Sequence, residues 1–425
     1  VIKLAALMKY LFKILLVLQF VAMVAPTHGQ SQSKLEKTQT EIEELKLLLD
    51  QKHQELKGYK LEKMHEDMSL YGYPKSPFGG QVIQHLAMAL EYVEGHEQAS
   101  WVYHMILPDI IEGNEGRTND FRIDSLVSTG SAVEADYFVV LKNEQGEEEF
   151  DGFGFDRGHL APSADFRWHR EALSQSYFYS NMSPQRPGFN REIWAEVEDE
   201  MRNYVFRTER PLWVITGPVL KDDLPISERS INGVTIPEEY YKIAYDPQVG
   251  KAIAFIVPNQ KSFNKPKDYV KSVREVETLT GIDFFPLLKE SDQVESSTDL
   301  EHWLPVVANG DITPLRAEKL PKNHFNSVQA SFHVNSGKTV SVCGTVVGSH
   351  FSRAGNVLLN FDKGYPNQTF TVFIKGEDLR HFSFSPDIEF KNECICATGK
   401  VEKMGDQPAI IVTKENQLKL YKNGQ

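Results

Sequence analysis

Cysteine is almost missing from this chain of 425 residues. The three present, Cys343, Cys394 and Cys396, cannot organise a disulfide framework, and no CxxC pair offers a zinc site. Cys394 and Cys396 stand two apart and share one face if they lie on a strand. Cys343 is then either bridged to one of them, should their strands pair, or free like the others. An excess of positive charge is missing too: 46 Lys and Arg face 59 Asp and Glu, a net charge of −13. This argues against a protein that holds polyanions by broad electrostatic attraction. It leaves room for a local basic groove or a metal-centred site. Long apolar runs are also lacking. Lys3, Lys9 and Lys13 precede and enter a run from Ile14 to Ala25 that is too short and poorly flanked for a membrane span. With Thr27-His28-Gly29 behind it, residues 1–30 read as an export signal, cleaved or kept as an anchor helix. The expected location is secreted or periplasmic, with no stable membrane span after cleavage.

What is present suggests two or three domains. In residues 31–70, Leu35, Ile42, Leu49 and Leu56 recur every seven positions, as in a short coiled coil. The segment is either a stalk that makes a homodimer or a solvated spacer. Residues 71–305 mix strand-like runs (101–107, 137–141, 212–216, 252–257) with helical ones. A helix is expected from Asn190, with Ile193, Val197, Met201 and Tyr204 on its core face. Residues 306–336 carry Asn309-Gly310, Pro314 and Pro321 and read as a linker. From 337 to 425, five short strands (339–347, 357–361, 369–374, 393–401, 409–412) predict a small barrel of the OB type. It holds ten Lys and Arg against nine Asp and Glu, so the acidity lies elsewhere.

The chemistry concentrates in Asp156-Arg157-Gly158-His159, then Ser180-Asn181-Met182-Ser183-Pro184-Gln185, then Phe189-Asn190-Arg191 with Trp194 and Glu198. Neutral imidazole at His159 is a natural base for taking a proton from water, although a lone histidine is more often structural. Asn190, Trp194 and Glu198 fall at i, i+4 and i+8 on one helical face. An amide oxygen and a carboxylate there suit Mg²⁺, which accepts few protein ligands and keeps several waters. Taken alone, the plainer reading is an N-cap asparagine followed by a solvated charge.

In this order the motifs resemble the DNA/RNA non-specific endonucleases, the ββα-metal nucleases that include endonuclease G. Trp101-Val102-Tyr103-His104, Asp120-Phe121-Arg122, Trp213 to Pro218 and Ile236-Pro237 before Tyr241-Lys242 extend the resemblance over about 71–305. It implies an α+β fold: a ββα-metal nuclease domain with a mixed or antiparallel sheet, beside the all-β barrel and the N-terminal helical segment. It also implies a Mg²⁺-dependent phosphodiesterase, exported here, that leaves 5′-phosphate and 3′-hydroxyl ends on DNA and RNA. His159 would be the general base and Asn190 the protein ligand of one Mg²⁺. Glu198 would hold metal-bound water, Asn181 would support His159, and Arg157 would brace the motif or contact phosphate. The family's phosphate-contacting arginine matches Arg117 or Arg122, with Arg117 favoured by its place before Phe121. Lys242 would lie against substrate. Mn²⁺ or Ca²⁺ also suits oxygen ligands.

Contacts to phosphate and sugar carry no base identity, so little sequence preference is expected. In the barrel, strand alternation sets Phe370 inward and Phe373 outward, where it could stack on a base. The rival reading is a catalytically restricted or inactive protein that binds nucleic acid through the barrel. Such a copy would be expected to have lost His159, Asn190 or Glu198, and all three stand in the sequence.

Overall fold

The computed structural model describes residues 2–422 except 112, 114, 290, 297, 305–311, 353, 366 and 406; for 2–32, 148 and 150 only the backbone is described. The chain divides into two compact units, 1–63 and 64–425. The first lies within a helix, α1 (Ile2–Leu70). Its heptad stripe is uncovered, with Leu35, Ile42, Leu49 and Leu56 each about half exposed. The expected export signal falls where side chains lie outside the described residues. Among the described residues no helix is long and apolar enough to cross a membrane.

The second unit contains, in chain order, β1 (Gln81–Gln84), β2 (Met88–Val93), β3 (Gln98–Ile106), β4 (Phe138–Lys142), β5 (Glu148–Gly152), β6 (Asp156–His159), the short helix α2 (Arg170–Gln175), β7 (Met182–Gln185), α3 (Ala195–Thr208), β8 (Leu212–Pro218), β9 (Glu239–Asp246), β10 (Lys251–Pro258) and β11 (Val270–Lys271). Seven of the strands form an antiparallel sheet in the order β1-β2-β3-β8-β9-β10-β11. The central strands β3 and β8 are buried along their whole length. Their continuous apolar and aromatic runs follow from packing on both faces rather than one. Gly217 in β8 is required by close approach, since a Cβ there would lie 2.2 Å from the Ser100 carbonyl oxygen. The expected stripe of α3 is fully engaged: Ile193, Val197, Met201 and Tyr204 are at most 2% exposed.

Residues 312–425 continue the same unit. After β12 (His324–Asn326) come β13 (Thr339–Phe351), β14 (Val357–Phe361), β15 (Phe370–Ile374), β16 (Cys394–Met404), β17 (Gln407–Ile411) and β18 (Leu418–Leu420). The order β13-β14-β15-β17-β16, with β13 also paired to β16, closes a five-stranded barrel. Val342, Val346, Leu359, Phe361, Phe370, Val372, Ile395 and Ile410 fill it. The expected linker differs from its reading: β12 pairs in parallel with β13, and Leu320, Phe325 and Ala330 are buried. Its prolines and its Asn-Gly pair hid these single apolar anchors, which have no periodicity to betray them.

Cys343 and Cys396 sit opposite each other across the β13–β16 seam and are bridged, leaving Cys394 free. The bridge spans 53 residues, for which chain-entropy reasoning gives about 4 kcal/mol. Cys343→Ser is therefore expected to destabilise the barrel by about 2–4 kcal/mol. Denaturant melts of oxidised wild type and variant check this, and equal midpoints would show that the bridge carries no stability.

Candidate active site

Three short elements build the site. β6 and β7 form an antiparallel ribbon in which Asp156 faces Gln185 and His159 faces Met182. Gly158 makes the ribbon possible, because a Cβ there would fall 2.1 Å from the Gln185 side chain. The chain then enters a π-helical turn, Phe189–Trp194, that runs on as α3. Such turns insert an extra residue per turn and recur at functional sites.

His159 ends β6. Its ring meets Tyr177 edge-on at 4.8 Å and Phe121 at 5.8 Å. Its Nε2 is buried with no hydrogen-bond partner among the described residues. Burial, and then the charges of Arg117 and Arg157, push the imidazole down to about 3. The ring is thus a neutral base at pH 7, held by aromatic contacts rather than by a carboxylate. Arg157 sets its guanidinium carbon over the Phe121 ring, 3.7 Å from the centroid, and over Phe138 at 4.8 Å. Arg117 is exposed, and its Nε donates to the Tyr177 hydroxyl at 3.1 Å, which sets it beside His159.

Asn190 is the second residue of the π turn. Its Nδ2 donates to Asp156 Oδ2 at 2.8 Å. Asp156 is fixed in turn by Arg191, through Nε at 2.8 Å and a terminal nitrogen at 2.6 Å. One N–H of the Asn190 amide is therefore held by Asp156, which fixes the orientation of the amide and leaves its oxygen as the end that could meet a cation. Among the described residues no group of three or more His, Cys, Asp or Glu is arranged to hold a metal ion. An ion here would take one amide oxygen and keep most of its water. That donor set fits Mg²⁺, which dehydrates reluctantly and prefers oxygen.

Glu198, two turns along, belongs to a buried charge cluster on one face of the sheet. Arg202 reaches Asp165 Oδ1 at 2.9 Å, Asp199 Oδ1 at 2.8 Å, Glu318 at 3.7 Å and Glu198 at 4.0 Å. Asp165 also accepts from His104 Nε2 at 2.8 Å. Burial pushes the Glu198 carboxyl above its ordinary range, while Lys242 and Arg202 pull it back.

Other expected residues take different places. Lys242, expected against substrate, is buried: it is 1% exposed, donates to Thr216 Oγ1 at 2.6 Å and lies 5.0 Å from the Trp194 ring centre. Register explains this, since Lys242 pairs with Thr216 and shares the inner face of the sheet. Arg122 is committed to the Asp120 carboxylate at 3.0 Å and the Ser174 carbonyl at 2.9 Å, with its guanidinium 4.1 Å from the Phe178 ring centroid. Asn181 is fully buried; its amide bonds Ala161 through both N–H and C=O and also Ser176, so it fixes the loop that leaves His159. Phe373 faces outward on β15 and is partly exposed, while Phe370 is buried.

Sequence reasoning missed Asp156, Arg202 and Glu318 as parts of the site. Asp156 lies inside the recognised motif, and its spacing to Asn190 carries no periodicity. Arg202 had a signal, at i+4 from Glu198 on the buried side of α3. Arg186 was also passed over. It is exposed, sits one turn before Asn190, and has its guanidinium 5.2 Å from the Phe155 ring centre.

A family model described as DNA/RNA non-specific endonuclease matches residues 68–291. A nuclease of Nostoc sp. strain PCC 7120 is 30% identical over 50% of this chain and 76% of its own length. Mitochondrial endonuclease G of Bos taurus is 26% identical over 52% of this chain and 73% of its own. A solved chain from the EndoG/EndoGI complex is similar with a TM-score of 0.44 and 23% identity, covering 55% of this chain and 94% of that one.

Proposed function

Because the chain belongs to the DNA/RNA non-specific endonuclease family, and is therefore a phosphodiester hydrolase, we propose that it cleaves DNA and RNA with His159 as general base and one Mg²⁺ at Asn190. The observation that carries this reading is the fixed Asn190 amide, oriented by Asp156 on a ribbon that also holds a neutral imidazole. When bound, the ion supplies charge stabilisation to the phosphate and to the departing 3′-oxygen.

The residues divide the remaining work. His159 takes the proton of the attacking water, and its aromatic walls keep the ring in one orientation. Glu198 accepts hydrogen bonds from water around the ion. Asp156 orients Asn190, and Asn181 secures the loop after His159. Arg117, exposed and beside His159, receives the phosphate; Arg157 lies on Phe121 and adds positive charge to the same side. Water attack on phosphorus with loss of the 3′-oxygen leaves 5′-phosphate ends. The test is digestion of supercoiled plasmid and of RNA, with Mg²⁺ or chelator, followed by ligation of the products. Ligatable 5′-phosphate ends that form only with metal support the reading. 5′-hydroxyl ends would overturn the direction of cleavage.

Arg117→Gln is expected to raise KM about tenfold and to reduce the slope of log affinity against log salt by about one. Arg122→Gln should mainly lower thermal stability, since it unties Asp120 and Ser174. Titrations across a salt series separate the two, and a salt-slope change in Arg122→Gln alone would reassign the phosphate contact.

Three further parts of the reading rest on the sequence pattern. The barrel is an OB-type module for nucleic acid, with Phe373 as a stacking residue. The uncovered heptad stripe of α1 makes a homodimer. The charged and apolar pattern of residues 1–30 directs export.

A further inference from the structure

The segment 312–320 lies beyond the part of the chain that the family model matches. It is clamped from both sides. Toward the barrel, Ile312 N donates to the Asp362 carbonyl at 2.7 Å, Asn326 Nδ2 to the Leu315 carbonyl at 2.8 Å, and the Tyr421 hydroxyl to the Lys319 carbonyl at 3.0 Å. Toward the nuclease region, Arg316 pairs with Asp199 Oδ2, and Arg167 donates to the Ala317 carbonyl at 2.5 Å. Glu318 is thereby delivered to Arg202.

One terminal nitrogen of Arg202 faces three carboxylates: Asp199 at 2.8 Å, Glu318 at 3.7 Å and Glu198 at 4.0 Å. Arg202 is itself only 3% exposed and its three partners are mostly buried, so water screens the competition only in part. Glu318 Oε2 is buried with no hydrogen-bond partner among the described residues. A half-satisfied buried carboxylate costs stability, and an apolar residue of similar size would fill the space at less cost. Its placement is accounted for by what it does to Arg202.

We propose that Glu318 is a positioning residue for the nuclease: it shares the Arg202 guanidinium and so keeps that cation from closing on Glu198. Glu198 stays beyond hydrogen-bond range, at 4.0 Å, with its carboxylate free for the water around the metal. The clamp makes 312–320 and the barrel behind it part of the catalytic unit. The inference rests on the role given above to Glu198.

The test is Glu318→Gln in the full chain, with Glu318→Asp as the conservative variant. The neutral amide keeps the size and loses the charge, so Arg202 turns toward Glu198. The expected result is a kcat lowered about tenfold with KM for DNA within about twofold of wild type, and with Mg²⁺ binding by calorimetry weakened about tenfold. Glu318→Asp should recover most of both. Unchanged Mg²⁺ binding in Glu318→Gln overturns the proposal, as does a kcat loss that Glu318→Asp shares fully, which would mark simple loss of packing. A wild type that binds Mg²⁺ but cuts nothing would sink the nuclease reading and this inference with it, whereas a wild type that cuts while Glu318→Gln keeps its Mg²⁺ binding would sink this inference alone.

Discussion

Replacing His159 by alanine is expected to lower kcat by at least about 10³-fold while leaving the fold in place. The ring is the one imidazole on the β6–β7 ribbon, where the Asp156 carboxylate is taken up by Asn190 and Arg191, and its environment keeps it neutral. Burial and two nearby arginines hold its proton affinity far below the ordinary imidazole range. The sign follows: the folded protein resists protonation of His159, whereas the unfolded chain accepts a proton below about 6.5. Stability linked to this residue is therefore complete above about 6.5 and is lost as the pH falls toward 3. For the same reason the acid limb of kcat/KM should lie below the ordinary imidazole value. In His159→Ala that stability loss should shrink, because no imidazole remains to titrate. The ring makes no hydrogen bond through Nε2 among the described residues, so its removal orphans no partner there. A melting temperature within a few degrees of wild type, measured beside the rate, separates loss of chemistry from loss of fold. Substantial activity in the variant would assign the base elsewhere.

The second large effect is expected at Asn190. Asn190→Ala deletes the oxygen offered to the cation and also removes one donor from Asp156, which keeps Arg191. Both kcat and the Mg²⁺ requirement should change, the first by more than about 100-fold and the second by at least about tenfold. Asp156→Asn is the finer probe. It leaves the Asn190 oxygen in place but loosens the amide that carries it, so a 10–100-fold loss is expected, as for other outer partners of a metal ligand. A metal titration unchanged in Asn190→Ala would move the ion to another group. The two variants differ in their response to added metal: excess Mg²⁺ should partly restore Asn190→Ala and should do nothing for His159→Ala.

Much of this was legible from the residues. The barrel strands announce themselves through alternation, and five sequence-based ranges correspond to β13, β14, β15, β16 and β17 with small shifts at their ends. The stripe Ile193, Val197, Met201 and Tyr204 fixes the buried face of α3 without any structure. The motifs name His159, Asn190 and Glu198, because chemistry there depends on residue type and order. What stayed hidden is what depends on distant segments meeting. Lys242 is expected against substrate from the family resemblance, yet its register against Thr216 carries it inward. Glu318 lies 116 positions after Arg202 in a stretch with no periodicity, so nothing local links them. Asp156 was in view, but only the hydrogen bond to Asn190 reveals its task. The Cys343–Cys396 bridge lay between; the sequence left its partner open, and the seam pairing decided it.

In the proposed function, a base at His159 and a cation at Asn190 act together but separately on one phosphodiester bond. The most direct measurement is plasmid and RNA cleavage by His159→Ala beside wild type in saturating Mg²⁺, with Mg²⁺ binding of both proteins followed by calorimetry. Equal Mg²⁺ binding and loss of cleavage of both substrates are expected in the variant. Cleavage that persists in His159→Ala, or that is lost together with Mg²⁺ binding, would contradict this.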